Sequence, residues 1–153
     1  MKKIAVFPGS FAPFTLGHKS IIERSIHLFD QIIISIGINS EKEDNLFSIE
    51  DRKKWIQNIY NEDHQIDVQT YQGLTVDYCK KVGAEYIIRG LRSSNDFRYE
   101  RDISQMNRML NKNIDTIFII ASAETSHISS SLVRDIIKNG GDVSKFLPKE
   151  INL

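Results

Sequence analysis

Four stretches of this sequence carry residue types that bind and activate phosphates. The first reads Pro8-Gly9-Ser10-Phe11-Ala12-Pro13-Phe14-Thr15-Leu16-Gly17-His18. Its prolines and glycines fix an irregular path and let backbone approach a ligand closely. A helix starting near Gly17-His18 presents N–H groups with no internal partner and a partial positive charge, which favours an anion. An imidazole beside that anion donates to a phosphoryl oxygen as charge builds up in a transition state. The second is Arg89-Gly90-Leu91-Arg92, two guanidiniums at a strand end that together suit two phosphates. The third is Ile128-Ser129-Ser130-Ser131-Leu132-Val133-Arg134, three hydroxyls ahead of another helix start. The fourth is Glu41-Lys42-Glu43-Asp44, whose charges by themselves read as a solvated surface. His27 and His64 read as surface residues, and Arg98 and Arg101 as a solvated charge run.

These stretches must be positioned by regular elements, and the apolar pattern supplies them. Strands are expected at 3–7, 31–38, 66–70, 85–89 and 115–121. Helices are expected at 18–29, 48–60, 74–82, 95–110 and 131–138, with a last short segment near 142–146. Ser48 suits an N-cap with Asp51 in the first turn, and Gly83 a C-cap. Alternation of strands and helices predicts an α/β fold: a Rossmann-like, doubly wound, five-stranded parallel sheet with helices on both faces. In such folds ligands bind at the carboxyl ends of the strands, where the strand order reverses. The phosphate-binding stretches fall in those loops.

With 153 residues the chain is expected to form a single domain, residues 1–153, with its own core. Lys and Arg total 20 against 20 Asp and Glu, so the sum is neutral. That argues against a protein built to coat nucleic acid or an anionic membrane, while leaving room for a local cationic pocket. Cys79 has no second cysteine to pair with. The start, MKKIAVFPGS, lacks the uninterrupted apolar run of a signal peptide. A cytoplasmic location is the expectation.

Thr15-Leu16-Gly17-His18 resembles the (His/Thr)-x-Gly-His motif of the nucleotidyltransferase superfamily, and the serine stretch resembles its Ile-Ser-Ser-Ser/Thr-x-x-Arg motif. A closer resemblance is carried by an ordered set: Pro8-Gly9-Ser10-Phe11-x-Pro13, Arg89-Gly90-Leu91-Arg92, Asp96-Phe97-x-Tyr99-Glu100, Met106-Asn107-Arg108, Ile128-Ser129-Ser130-Ser131, and Gly141-Asp142-Val143 followed by Phe146-Leu147-Pro148. Across residues 4 to 148 the chain resembles the bacterial phosphopantetheine adenylyltransferases. The resemblance implies transfer of AMP from ATP to 4′-phosphopantetheine, giving 3′-dephospho-coenzyme A and pyrophosphate by direct in-line attack. It implies that His18 stabilises charge at the α-phosphate and that Lys42 contacts acceptor and reacting phosphates. Ser10, Lys42, Leu74, Thr75 and Arg89 would bind the acceptor. Ser10, Phe11, His18, Gly90, Leu91, Arg92, Glu100, Thr125, Ser126, His127, Ile128, Ser129, Ser130 and Ser131 would bind ATP. Mg²⁺ would arrive with ATP, no protein cage for a metal being evident, and the assembly would be a homohexamer.

The sequence departs from the family pattern at three places. Ala12 stands where Asp is usual, and its tolerance is expected because it is not one of the implied phosphate contacts. His127 stands where Phe or Tyr is common, and Arg98 replaces an acid. The chain stops soon after Pro148, so the usual last helix looks clipped. Two other readings share the superfamily motifs: transfer to nicotinate mononucleotide or a phosphorylated alcohol, and a non-catalytic nucleotide-binding module.

Overall fold

A computed structural model of the chain describes residues 1–39 and 46–153. Five strands form one sheet: β1 (Ile4–Gly9), β2 (Gln31–Gly37), β3 (Ile66–Tyr71), β4 (Tyr86–Leu91) and β5 (Asp115–Ile120). Their order is β3-β2-β1-β4-β5, and every pairing is parallel. Parallel neighbours need crossover connections. Helices α1 (Leu16–Ser25), α2 (Ile49–Ile59), α3 (Thr75–Val82) and α4 (Ser94–Leu110) provide them, and α5 (Ser130–Lys138) follows β5. The expected α/β architecture is the one observed.

The isoleucine-rich strands follow from burial on both faces. Alternate residues of β1 and β2 enter two cores. Ala5, Phe7, Ile32, Ile34 and Ile36 pack with Ile21 and Ile22 of α1, Ile56 of α2 and Val133 of α5. Val6 and Ile33 pack with Val76 and Cys79 of α3 and with Ile87. A sheet covered on both sides has no polar face to alternate with, so its central strands read as continuous apolar runs.

Most expected boundaries shift by one or two residues, β4 running to Leu91 rather than 89, and two of the shifts have a clear cause. The first strand was expected to stop at residue 7, yet β1 continues through Pro8 to Gly9, paired with Ser35 and Ile36 of β2. A proline is tolerated there because β1 pairs with β4 only at Ala5↔Tyr86 and Val6↔Ile87. Beyond Val6 the two strands diverge. The N and C=O of one strand residue face the same neighbour. The Pro8 carbonyl is bonded by Arg89 of β4, so the missing N–H also faces the gap, where no ladder bond is lost. The expected helix 18–29 is α1 followed by a 3₁₀ turn, Ile26–Leu28. Ser25 Oγ donates back to Ile21 O at 2.7 Å, a bond that competes with regular helix continuation.

Candidate active site

The divergence of β1 and β4 opens a cleft of about 340 Å³ at the carboxyl edge of the sheet. It lies where the strand order reverses. The end of β1 contributes Pro8, Gly9, Ser10 and Phe11; the start of α1 contributes Thr15, Gly17 and His18; β4 and its loop contribute Arg89, Gly90 and Arg92. The β5–α5 connection closes it with Thr125, Ile128, Ser129, Ser130, Ser131 and Arg134. A second cavity of about 210 Å³ shares Pro8, Gly9, Arg89 and Glu100 with the first and extends to Tyr71, Thr75 and Asn107.

His18 is held by the helix it begins. Thr15 is the N-cap of α1, and its Oγ1 accepts from His18 N–H at 3.4 Å. In return His18 Nδ1 accepts from the Thr15 backbone N–H at 2.9 Å. This is a capping box with histidine in the place of glutamate. The bond has a chemical consequence. A nitrogen that accepts a backbone N–H carries no proton, so the neutral imidazole bears its proton on Nε2. The ring is enclosed by Phe7, Phe11 and Phe14, with centroids 6.2, 5.0 and 5.3 Å away. Burial, then the positive charges of Arg89 and Arg92, lower its pKa from 6.5 to about 3. His18 is therefore a neutral, oriented hydrogen-bond donor near neutral pH.

The arginine pair separates into two kinds. Arg89 donates through Nε to Glu100 Oε2 at 2.9 Å, through Nη2 to Glu100 Oε1 at 2.6 Å and through Nη1 to Pro8 O at 2.7 Å. Glu100, from α4, is buried at 8% exposure. Three of the guanidinium's five N–H donors are thus committed, and two remain for a ligand. Arg92 is exposed and sits 3.6 Å from Asp96. Asp96 also accepts from the Arg92 backbone N–H at 3.0 Å.

The serines have distinct tasks as well. Ser129 caps α5, accepting from Leu132 N–H at 3.2 Å. Ser130 Oγ donates to Pro13 O at 2.9 Å, tying α5 to the first loop. Ser131 is exposed, and its Oγ accepts from Arg134 at 3.3 Å. The start of α5 lines the cleft, but its hydroxyls serve mainly to build it.

Ser10, Phe11, His18, Arg89, Gly90, Arg92, Glu100, Thr125, Ile128, Ser129, Ser130 and Ser131 thus converge on one cleft. Thr75 lines the adjoining cavity. Leu74 is the N-cap of α3 and 56% exposed. Leu91 is buried in β4, and Ser126 and His127 belong to the loop beside the cleft without lining it. Lys42 lies outside the described residues. Ala12 is fully buried, and its carbonyl accepts from Arg134 at 2.7 Å. Thr15 and Arg134 were missed as site residues. The spacing Thr15-x-x-His18 was a legible signal, since it is that of a capping box. Among the described residues no group of three or more His, Cys, Asp or Glu side chains is arranged to hold a metal. No helix among them is long and apolar enough to cross a membrane.

The cytidylyltransferase-like family model matches residues 6–136. The phosphopantetheine adenylyltransferase of Flavobacterium psychrophilum is 53% identical over 149 residues, 97% of each chain. That of Cytophaga hutchinsonii is 48% identical over 151 residues, 99% of this chain and 100% of the relative. This chain belongs to the phosphopantetheine adenylyltransferase family. The fold has wider company. The bifunctional NMN adenylyltransferase/ADP-ribose pyrophosphatase of Francisella tularensis superposes with a TM-score of 0.73 at 20% identity, over 96% of this chain and 45% of that one. A nicotinate-nucleotide adenylyltransferase-like structure from Vibrio parahaemolyticus gives 0.68 at 22% identity, over 98% and 96%. At those identities the likeness is one of fold.

Proposed function

We propose that the chain transfers AMP from ATP to 4′-phosphopantetheine, giving 3′-dephospho-coenzyme A and pyrophosphate. The observation that carries this reading, within the family, is the locked imidazole of His18 facing a cleft with three arginines, Arg89, Arg92 and Arg134, and two helix N-termini. The acceptor's phosphate oxygen is already anionic, so attack on the α-phosphorus needs no general base. What the protein must supply is alignment of two polyanions and stabilisation of charge on the pentavalent phosphorus. Alignment of this kind lowers a barrier by roughly 7–11 kcal/mol. His18 Nε2–H donates to an oxygen of that phosphorus. Because the imidazole is neutral, it does not hold the triphosphate tightly in the ground state and acts chiefly as charge accumulates.

Arg89 and Ser10 hold the acceptor phosphate at the junction of the two cavities, and its arm extends past Thr75 into the second. Leu74 borders this arm. Lys42 bridges the acceptor and reacting phosphates. Phe11, Gly90, Leu91, Arg92 and Glu100, with the segment from Thr125 through Ser131, surround ATP. Magnesium enters as the ATP complex. Both carboxylates lining the cleft, Asp96 and Glu100, are engaged by arginines, which leaves the phosphates as its ligands. The assembly is a hexamer. In support, α4 exposes Met106, Met109 and Leu110 at 65, 88 and 62%, more apolar surface than a lone helix face usually leaves to water. The location is cytoplasmic.

The test is pyrophosphate release from ATP with 4′-phosphopantetheine, beside nicotinate mononucleotide and glycerol phosphate. Release with the first acceptor alone is expected; none with it would overturn the reading. His18→Ala should lower turnover by about 10²–10³-fold while ATP binding, read by calorimetry, changes little.

A further inference from the structure

Arg52 of α2 carries a charge that the structure buries almost completely, at 3% exposure. Its Nη1 donates to Ser10 O at 2.6 Å and its Nε to Ser48 O at 3.3 Å. Among the described residues no carboxylate lies in ion-pair range of it. Burial lowers its pKa, opposed by Glu50 two residues earlier on α2. Among the described residues this guanidinium is buried on carbonyls alone, a costly choice for a helix that could have carried an apolar residue there.

The carbonyl it holds belongs to the peptide between Ser10 and Phe11, in the lining of the cleft. Phe11 adopts φ 47°, the left-handed region that a bulky side chain avoids. In a trans peptide the C=O and the following N–H point in opposite directions. With the Ser10 carbonyl turned toward α2, the Phe11 N–H turns the other way. Nothing in the described protein accepts it, while its own residue lines the cleft. The reverse orientation would put a carbonyl oxygen where a phosphate binds.

We infer that Arg52 is a positioning residue, one that clamps the Ser10–Phe11 peptide so that the Phe11 N–H is aimed at a phosphate in the cleft. That the phosphate belongs to ATP or to its acceptor rests on the adenylyl-transfer reading; the clamp itself does not. Arg52 touches no ligand and acts entirely through the Ser10 carbonyl. A peptide held this way is a donor fixed before the ligand arrives, which spares reorganisation at the moment of binding.

The probe is inorganic pyrophosphate, so that catalysis is not needed to read the result. Calorimetry would give its affinity for the wild-type protein, Arg52→Met and Arg52→Lys, and the ¹⁵N–¹H resonance of Phe11 would be followed in each titration. The wild-type Phe11 amide should move downfield on binding. Arg52→Met, which removes the charge but fills its space, should bind at least tenfold more weakly without that movement, yet melt within a few degrees of wild type. Should it fail to fold, Arg52→Lys carries the test: one ammonium cannot serve both carbonyls as the guanidinium does, so at least a threefold loss and a smaller Phe11 movement are expected. Wild-type affinity with an unchanged Phe11 shift in the folded variants would overturn the proposal. A wild-type enzyme that bound pyrophosphate through Phe11 but released none in the acceptor assay would refute the adenylyl-transfer reading and leave the clamp standing.

Discussion

Arg89 inside β4, the root, and Arg92 just past its end, the tip, each present a guanidinium to the same cleft, three residues apart in sequence. At the root, Arg89 has a buried glutamate and a strand carbonyl holding it at three points. At the tip, Arg92 is exposed, with a carboxylate 3.6 Å away on the next turn. One guanidinium is part of the scaffold; its direction is set by folding, and its charge costs nothing to orient when a phosphate arrives. The other must be ordered by the ligand and surrenders side-chain entropy in doing so. A pair of arginines in a motif is thus two devices: a fixed field at the gap between β1 and β4, and an exposed contact at the rim.

Replacement of Arg89 should have the largest effect. Arg89→Met strands Glu100 and frees the Pro8 carbonyl. Breaking a buried pair costs about 3–5 kcal/mol; with a third of the Arg89 side chain exposed, about 2–3 kcal/mol is expected. That corresponds to a fall in Tm of roughly 5–10 °C for a chain of this size, together with loss of turnover. An unchanged melting curve would show that the root arginine is no more built-in than the tip.

The next effect is on His18. Arg89 lowers its pKa more than Arg92 does, both after burial. NMR titration of the His18 imidazole should find it neutral down to about pH 3 in the wild type. Its pKa should rise further in Arg89→Met than in Arg92→Met, and the opposite order would break the ranking. The sign for stability follows. Between about 3 and 6.5 the unfolded chain holds a proton on this residue that the folded chain lacks. Stability must therefore fall as the pH is lowered through that window. His18→Gln should flatten that limb in acid-denaturation curves.

The smallest effect belongs to Arg92→Met. Its ion pair is exposed, so stability should change by less than about 1 kcal/mol. The KM for ATP should rise roughly tenfold, the scale of one charge-assisted bond. A large shift in Tm here would erase the distinction between root and tip.

The architecture was legible because it rests on short-range pattern. Ile32, Ile33, Ile34 and Ile36 can only suit a strand buried on both faces, and Ser48 and Gly83 cap helices through bonds within one turn. The site's membership was largely legible too, since its motifs sit in loops at strand ends. The roles within it were less so. Three serines in a row look alike, yet one caps, one bridges to Pro13 and one meets Arg134. Arg52 drew no reading from the sequence, because its partner lies 42 positions away.

Sequence by itself determined the strands, the helices, the strand-end loops and the residue types that bind phosphate. These depend on periodicity, on caps and on turn chemistry, all local properties of the chain. Tertiary structure alone decided how far β1 runs, which arginine is fixed, which histidine nitrogen carries the proton and which way the Ser10–Phe11 peptide faces. Each of these depends on a donor meeting an acceptor from another element, across the gap that opens where β1 and β4 part.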